Sequence, residues 1–259
     1  MKEFFGFGGY TREPEGFFSW QHLTFVTCLM AIMILTAVIL GLRNKHKSPL
    51  DKNKVIIWAA ILIDSVELFK ILIMCWRAND PLGWLTELPL FLCSIQLITI
   101  PLAAFSKGRL KEASMDFVCI FGMLGAVFGT YAAGQNYSAY PVLSLDNVAS
   151  GITHCVAGFA ALYIFISGMA NLKKENIWIT FTILLGFCVV AYTANLCLDY
   201  NYMFLMSGDG TPYDILYNLL NGSPVLYPLC VLALFLVYIT GFYWTYFYIT
   251  GRKKSAVPA

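Results

Sequence analysis

Charge is what this sequence lacks. Only 12% of its 259 residues are Asp, Glu, Lys or Arg, against about 25% in a soluble domain. So little polar surface cannot cover a water-soluble globule. The net charge of +2 offers no basic face for nucleic acid, and no nucleic-acid partner is expected. Eight cysteines are present, but they show no CxxC and no paired loop spacing, which argues against a disulfide framework. The three histidines, His22, His46 and His154, share no helical spacing, so no metal is expected. The serine elbow G-x-S-x-G is missing, as is any glycine-rich phosphate cradle. No cofactor is expected either. A cleavable signal peptide is not evident: the first apolar run is longer than the core of a leader.

What the chain has instead is apolar length. Hydrophobic residues make up 59% of it and aromatic residues 16%. Seven apolar stretches, at about 20–42, 55–76, 86–105, 115–133, 149–169, 177–198 and 224–248, are each long enough to cross about 30 Å of hydrocarbon at 1.5 Å per residue. They lack the alternation of barrel strands, and only helices and closed barrels satisfy their backbone in lipid. The expected fold is an all-α, seven-helix, multi-pass bundle forming one integral membrane domain over residues 1–259. Arg43, Lys45, Lys47, Lys52, Lys54, Lys107, Arg109, Lys111, Lys173, Lys174, Arg252, Lys253 and Lys254 all fall on one side of that bundle. The excess of basic residues predicts that side as cytoplasmic, with the N-terminus outside and the C-terminus inside. The expected location is the cell membrane.

The few polar residues inside the stretches converge on one layer in the outer half. His22 begins the first; Glu67 and Lys70 lie in the second, Cys93, Ser94 and Gln96 in the third, His154 in the fifth and Asn195 in the sixth. Such groups are costly in hydrocarbon and mark functional positions or internal pairs. Asp64, Glu67 and Lys70 recur every three residues and share one helix face. They read either as a self-compensating ion pair between helices or as a group that charges and orients a site. His154 reads either as a helix-to-helix hydrogen bond or as a base. A thiol beside an imidazole in a partly dry pocket is the arrangement for nucleophilic acyl transfer. Cys93 with His154 fits it, and Ser94 and Thr153 are weaker nucleophile candidates.

Several segments, in this order, resemble the YwaF-like bacterial integral membrane proteins. They are Phe18-Ser-Trp-Gln-His22, Leu88-Pro-Leu-Phe-Leu-Cys93, His154, Asn201-Tyr-Met-Phe-Leu205 and Gly222-Ser-Pro-Val-Leu-Tyr227. That family is distantly similar to animal transmembrane protein 164, an acyltransferase that uses a cysteine and a histidine within the membrane. The resemblance implies Cys93 as nucleophile and His154 as general base. The chain departs from the family pattern Pro-Leu-His-x-Cys at Phe91, and Gly222–Tyr227 lacks the tryptophans common there.

These observations predict a membrane-embedded lipid-modifying enzyme, an acyltransferase or acyl-ester hydrolase with a Cys/His site in the outer half of the bilayer. Cys93, His154 and Glu67 are the expected catalytic residues. Lys70, Gln96, Asn195, His22 and Ser94 are the expected substrate-binding residues, with Gln96, Asn195 or Ser94 bonding an oxyanion and Lys70 a lipid phosphate. The partners would be membrane lipids, and a lipid or lipoprotein acyl acceptor. The same polar layer also suits a small-solute transporter or binding protein. Against that reading, no inverted repeat is visible and the layer stops short of the inner half.

Overall fold

The computed structural model describes residues 2–170 and 172–255, with side chains no further than Gly251. The side chains of Arg252, Lys253 and Lys254, part of the basic side read from sequence, therefore lie outside the described residues. No strand occurs among the described residues. Seven principal helices follow one another: α1 Trp20–Asn44, α2 Pro49–Ala78, α3 Gln96–Phe105, α4 Gly108–Tyr131, α5 Leu145–Ile166, α6 Ile177–Leu198 and α7 Leu226–Ser255. Where the sequence suggests one domain, contacts cluster into two compact units, one within 1–171 and one within 172–259.

Five regions among the described residues are long and apolar enough to cross a membrane: those of α1, α4, α5, α6 and α7. The second and third expected crossings fall outside that number for different reasons. Helix α2 has the length but carries Asp64, Glu67 and Lys70 in its middle. The third stretch, expected as a continuous helix over 86–105, is broken. A 3₁₀ turn covers Gly83–Glu87, residues 88–95 are irregular, and α3 keeps only ten residues. Pro89 explains the break. Its ring disfavours helical backbone at the preceding residue, and Leu88 is accordingly extended, with φ −59° and ψ 146°. Ser94 then closes the turn, accepting from the Phe91 N–H at 3.0 Å and donating to the Phe91 carbonyl at 3.1 Å.

In the first unit α5 is central, packed against α1, α2 and α4, while α3 lies against α2 and α4. The helices approach closely because small residues line their contacts, the usual device where lipid supplies no hydrophobic drive between helices. A Cβ at Gly122 would sit 2.7 Å from the Ala157 carbonyl oxygen, and one at Gly158 would sit 2.6 Å from Ala126 Cβ. Ile56, Ile63, Ile100, Val118 and Tyr163 fill the core between them. Serines cap the starts of three helices: Ser19, Ser48 and Ser144 accept from the N–H of His22, Asp51 and Asn147, each satisfying a backbone donor that the helix leaves open.

The segment before α1 is ordered against this unit. Arg77, at the end of α2, grips Asp146 in α5 through two parallel bonds of 2.6 and 2.7 Å. Tyr10 donates to the same carboxylate at 2.6 Å, and its ring and that of Tyr140 lie 5.7 and 5.8 Å from the guanidinium carbon. Burial and the Asp146 carboxylate push the Tyr10 hydroxyl up to about 12. Further along, Glu15 accepts from the Val142 N–H at 2.7 Å, and Phe7 meets Trp76 edge-on. Residues 2–19 thus form a strap held to two helices and the loop between α4 and α5.

In the second unit Thr180 and Tyr243 join α6 to α7 through their hydroxyls, 3.1 Å apart. Helix α6 ends at Asp199, which is left-handed with φ 50°. The turn beyond it is braced by Asn195. Its Nδ2 donates to the Tyr202 carbonyl at 3.0 Å, and its Oδ1 accepts from the Tyr202 N–H at 2.6 Å.

Candidate active site

The irregular 88–95 segment carries Cys93 to His154 of α5. The thiol lies beside the imidazole, close enough for the two groups to interact, and the N–H groups of Cys93 and Ser94 lie near the sulfur. Three residues later α3 begins, so the sulfur lies just before the positive dipole end of a helix, where a thiolate is favoured. Non-helical backbone at membrane depth is tolerated only when protein or a cavity encloses it. Here it places the Cys93 thiol at the start of a half-helix.

The second nitrogen of His154 fixes the roles. Nδ1 lies 2.7 Å from the Ser150 carbonyl oxygen, one turn back on α5. A carbonyl only accepts, so Nδ1 carries the proton and donates. Nε2 is left with its lone pair as the acceptor for the Cys93 thiol, the protonation state a general base needs. Both residues are partly buried.

The remaining expected residues fall into distinct places. Glu67 does not hydrogen-bond the imidazole. It pairs with Lys70 at 2.6 Å, and Lys70 also holds Glu87 at 2.9 Å. Glu67 acts on His154 only through space, as a nearby negative charge. The orienting role expected of Glu67 is filled by the Ser150 carbonyl, because a backbone acceptor at i−4 is already in register with Nδ1. Lys70, expected at a lipid phosphate, has two carboxylates on its ammonium and ties the 3₁₀ turn before Cys93 to α2. Ser94 shapes the nucleophile turn with its hydroxyl and offers its N–H to the sulfur. Gln96 is fully buried; its Oε1 accepts from Thr99 at 3.1 Å, while its Nε2 has no partner.

His22 is also fully buried, but its two nitrogens serve backbone: Nδ1 accepts from the Phe18 N–H at 3.2 Å and Nε2 donates to the Thr130 carbonyl at 3.0 Å. Its ring lies 3.9 Å from that of Tyr137, so it fastens the strap and the α4 end to α1. Asn195 belongs to the second unit, where both ends of its amide hold Tyr202. Among the described residues no cluster of three or more His, Cys, Asp or Glu side chains is disposed to hold a metal ion. A groove of about 450 Å³ on the second unit, lined by Phe181, Leu236, Val237, Thr240, Gly241 and Trp244, contains none of the residues around Cys93. Its apolar walls suit lipid chains.

Sequence reasoning missed four contributors. Ser150 precedes His154 by one helical turn, a signal open to inspection. Glu87 stands at the very start of the third stretch and finds Lys70 only through the 3₁₀ turn. Gly125 and Gly129, one turn apart on α4, lie against Cys93 and His154. Comparison with known proteins agrees with the membrane assignment: the model of the TMEM164 family matches residues 17–248. No curated protein and no solved structure matches the chain.

Proposed function

The chain belongs to the TMEM164 family and is a multi-pass membrane protein in contact with membrane lipids; from that premise we propose that it is an acyl-transfer enzyme working on lipid esters within the bilayer. The observation that carries this reading is the Cys93–His154 pair with Nδ1 committed to Ser150. A histidine serving only as packing has no need of a thiol on its free nitrogen.

The chemistry follows from the protonation states. Sγ of Cys93 attacks the carbonyl carbon of an acyl ester as His154 Nε2 takes the thiol proton. The carbonyl electrons move onto oxygen, and the N–H groups of Cys93 and Ser94 and the unpartnered Gln96 Nε2 bond the oxyanion. Collapse breaks the ester C–O bond, and the departing alcohol takes the proton from the imidazolium. An acyl thioester and a lysolipid result. A second alcohol, an amine of a lipoprotein, or water then attacks the thioester while His154 accepts its proton; the C–S bond breaks, and the expelled thiolate takes that proton from the imidazolium, which restores the starting pair. The negative charge of Glu67 favours the transient imidazolium. We keep seven crossings with the N-terminus outside and the chemistry in the outer leaflet; the one-sided run of basic residues supports that orientation. The ion pairing of Lys70 with Glu67 and Glu87 lowers the cost of α2 in lipid. The narrower kinship with YwaF-like bacterial proteins belongs to the same proposal.

Purified protein incubated with a phospholipid bearing an alkyne-tagged acyl chain tests it. A hydroxylamine-labile tag on Cys93, absent from Cys93→Ala and strongly reduced in His154→Ala, is expected. A protein that never acquires the tag at Cys93 is not this enzyme.

A further inference from the structure

We propose that Gly129 is the positioning residue for the imidazole of His154, an inference that rests on the Cys93–His154 reading. A Cβ at Gly129 would lie 1.9 Å from His154 Cδ2 and 2.0 Å from Nε2, well inside atomic contact. The ring therefore occupies the space that any side chain at 129 would take, and rests on the bare backbone of α4. Its opposite edge is tied through Nδ1 to Ser150. With one edge tethered and the other seated, the ring plane is fixed, and Nε2 is aimed where Cys93 stands. One turn earlier, a Cβ at Gly125 would lie 3.4 Å from Cys93 Cβ, so the nucleophile rests over the same helix face. Gly125 tolerates ordinary contact; Gly129 tolerates none.

The demand at Gly129 runs against local preference. Glycine weakens a helix interior relative to alanine, and nothing in the backbone at 129 requires it, since its φ is not in the left-handed region. Gly186, in α6, provides the contrast: no atom lies within 4 Å of its virtual Cβ. Substitution there reports helix propensity alone.

A four-variant thermal cycle tests the seat without reference to activity. In detergent, Gly129→Ala is expected to lower Tm by roughly 5 °C or more, the effect of overpacking in a core of this size. In the His154→Ala background, where the ring is gone, the same change is expected to leave Tm unchanged or raise it. Gly186→Ala is expected to raise it slightly or not at all in either background. The second readout is the pH profile of Cys93 alkylation by iodoacetamide, followed peptide by peptide. Gly129→Ala is expected to convert the wild-type profile into that of His154→Ala, while Gly186→Ala retains the wild-type profile. If Gly129→Ala cannot be isolated but Gly129→Ala/His154→Ala can, the seat is supported by rescue. An equal Tm loss in both backgrounds, or an alkylation profile untouched by Gly129→Ala, overturns the proposal. The thermal cycle decides on the seat whether or not Cys93 ever carries an acyl group, which tells its failure apart from failure of the enzymatic reading.

Discussion

His154 Nδ1 donates to the Ser150 carbonyl oxygen across 2.7 Å, within a single helix turn. That bond assigns the tautomer and leaves Nε2 for the Cys93 thiol. Exposure alone would favour other cysteines. Cys28 and Cys197 are exposed and Cys93 only partly so. In competitive alkylation at neutral pH, Cys93 is expected to react about tenfold faster than either, because the thiolate is the reactive form. Quantitative mass spectrometry of the labelled peptides checks this. Equal rates at the three positions would contradict an activated thiol.

Gln96 separates binding from folding. Its Nε2 makes no bond in the resting site, and Thr99 keeps a second acceptor in the Ile95 carbonyl at 3.3 Å. Gln96→Leu is therefore expected to change Tm little while slowing formation of the acyl thioester about a hundredfold, the usual effect of losing one oxyanion donor. Pre-steady-state tagging of Cys93 is the measurement. An unchanged rate would assign the amide to structure.

Lys70 holds two carboxylates that come from different elements. Lys70→Met leaves Glu67 and Glu87 unpaired in a partly buried position, with an expected loss of about 3 kcal/mol. Lys70→Met/Glu67→Gln/Glu87→Gln is expected to recover most of it. Denaturation of the wild type and the two variants in mixed micelles reads the difference. A triple variant as unstable as the single one would show that packing of the lysine stem, not charge, is at stake.

The strap over the first unit hangs on Arg77 and Asp146. Arg77→Ala breaks a bidentate, largely buried pair, an opening of about 3 kcal/mol. Cleavage within residues 2–19 by a soluble protease is then expected to quicken about a hundredfold. Tyr10 adds a pH signature. Its folded value of about 12 lies above the ordinary 10 of a free tyrosine, so its contribution is complete below pH 10 and fades as pH rises through 12. Trp76 fluorescence, sensitive to the Phe7 contact, follows the release. A flat signal in wild type, or the same transition in Tyr10→Phe, would remove the role given to this hydroxyl.

Much of this architecture was legible in the residues, and the exceptions share a cause. Apolar length announced every principal helix, because the bilayer demands it. It could not announce that the third would be cut, since Leu, Phe and Ile are as apolar in a turn as in a helix. Only Pro89 hinted at the cut. Depth along a helix follows from counting, so Cys93 and His154 could be assigned to one level, and the structure sets them side by side. Direction around the helix axis and the fold of loops do not follow from counting. Asn195 was thus grouped with them although it turns to Tyr202, His22 serves backbone, and Glu87 was overlooked as the second partner of Lys70. Glycines are silent in any search for chemistry, and Gly129 shows itself only once the ring beside it is placed.

The truncated third helix has one more consequence. Ten residues rise about 15 Å, half the depth of the hydrocarbon, and the eight before them offer bare peptide groups that lipid alone cannot satisfy. Such a segment has no stable home until its neighbours have assembled around it. The sulfur consequently meets the imidazole only in the finished bundle. On the proposed function, reactivity would then be a property of completed assembly, and a half-built chain would carry an ordinary, sluggish thiol.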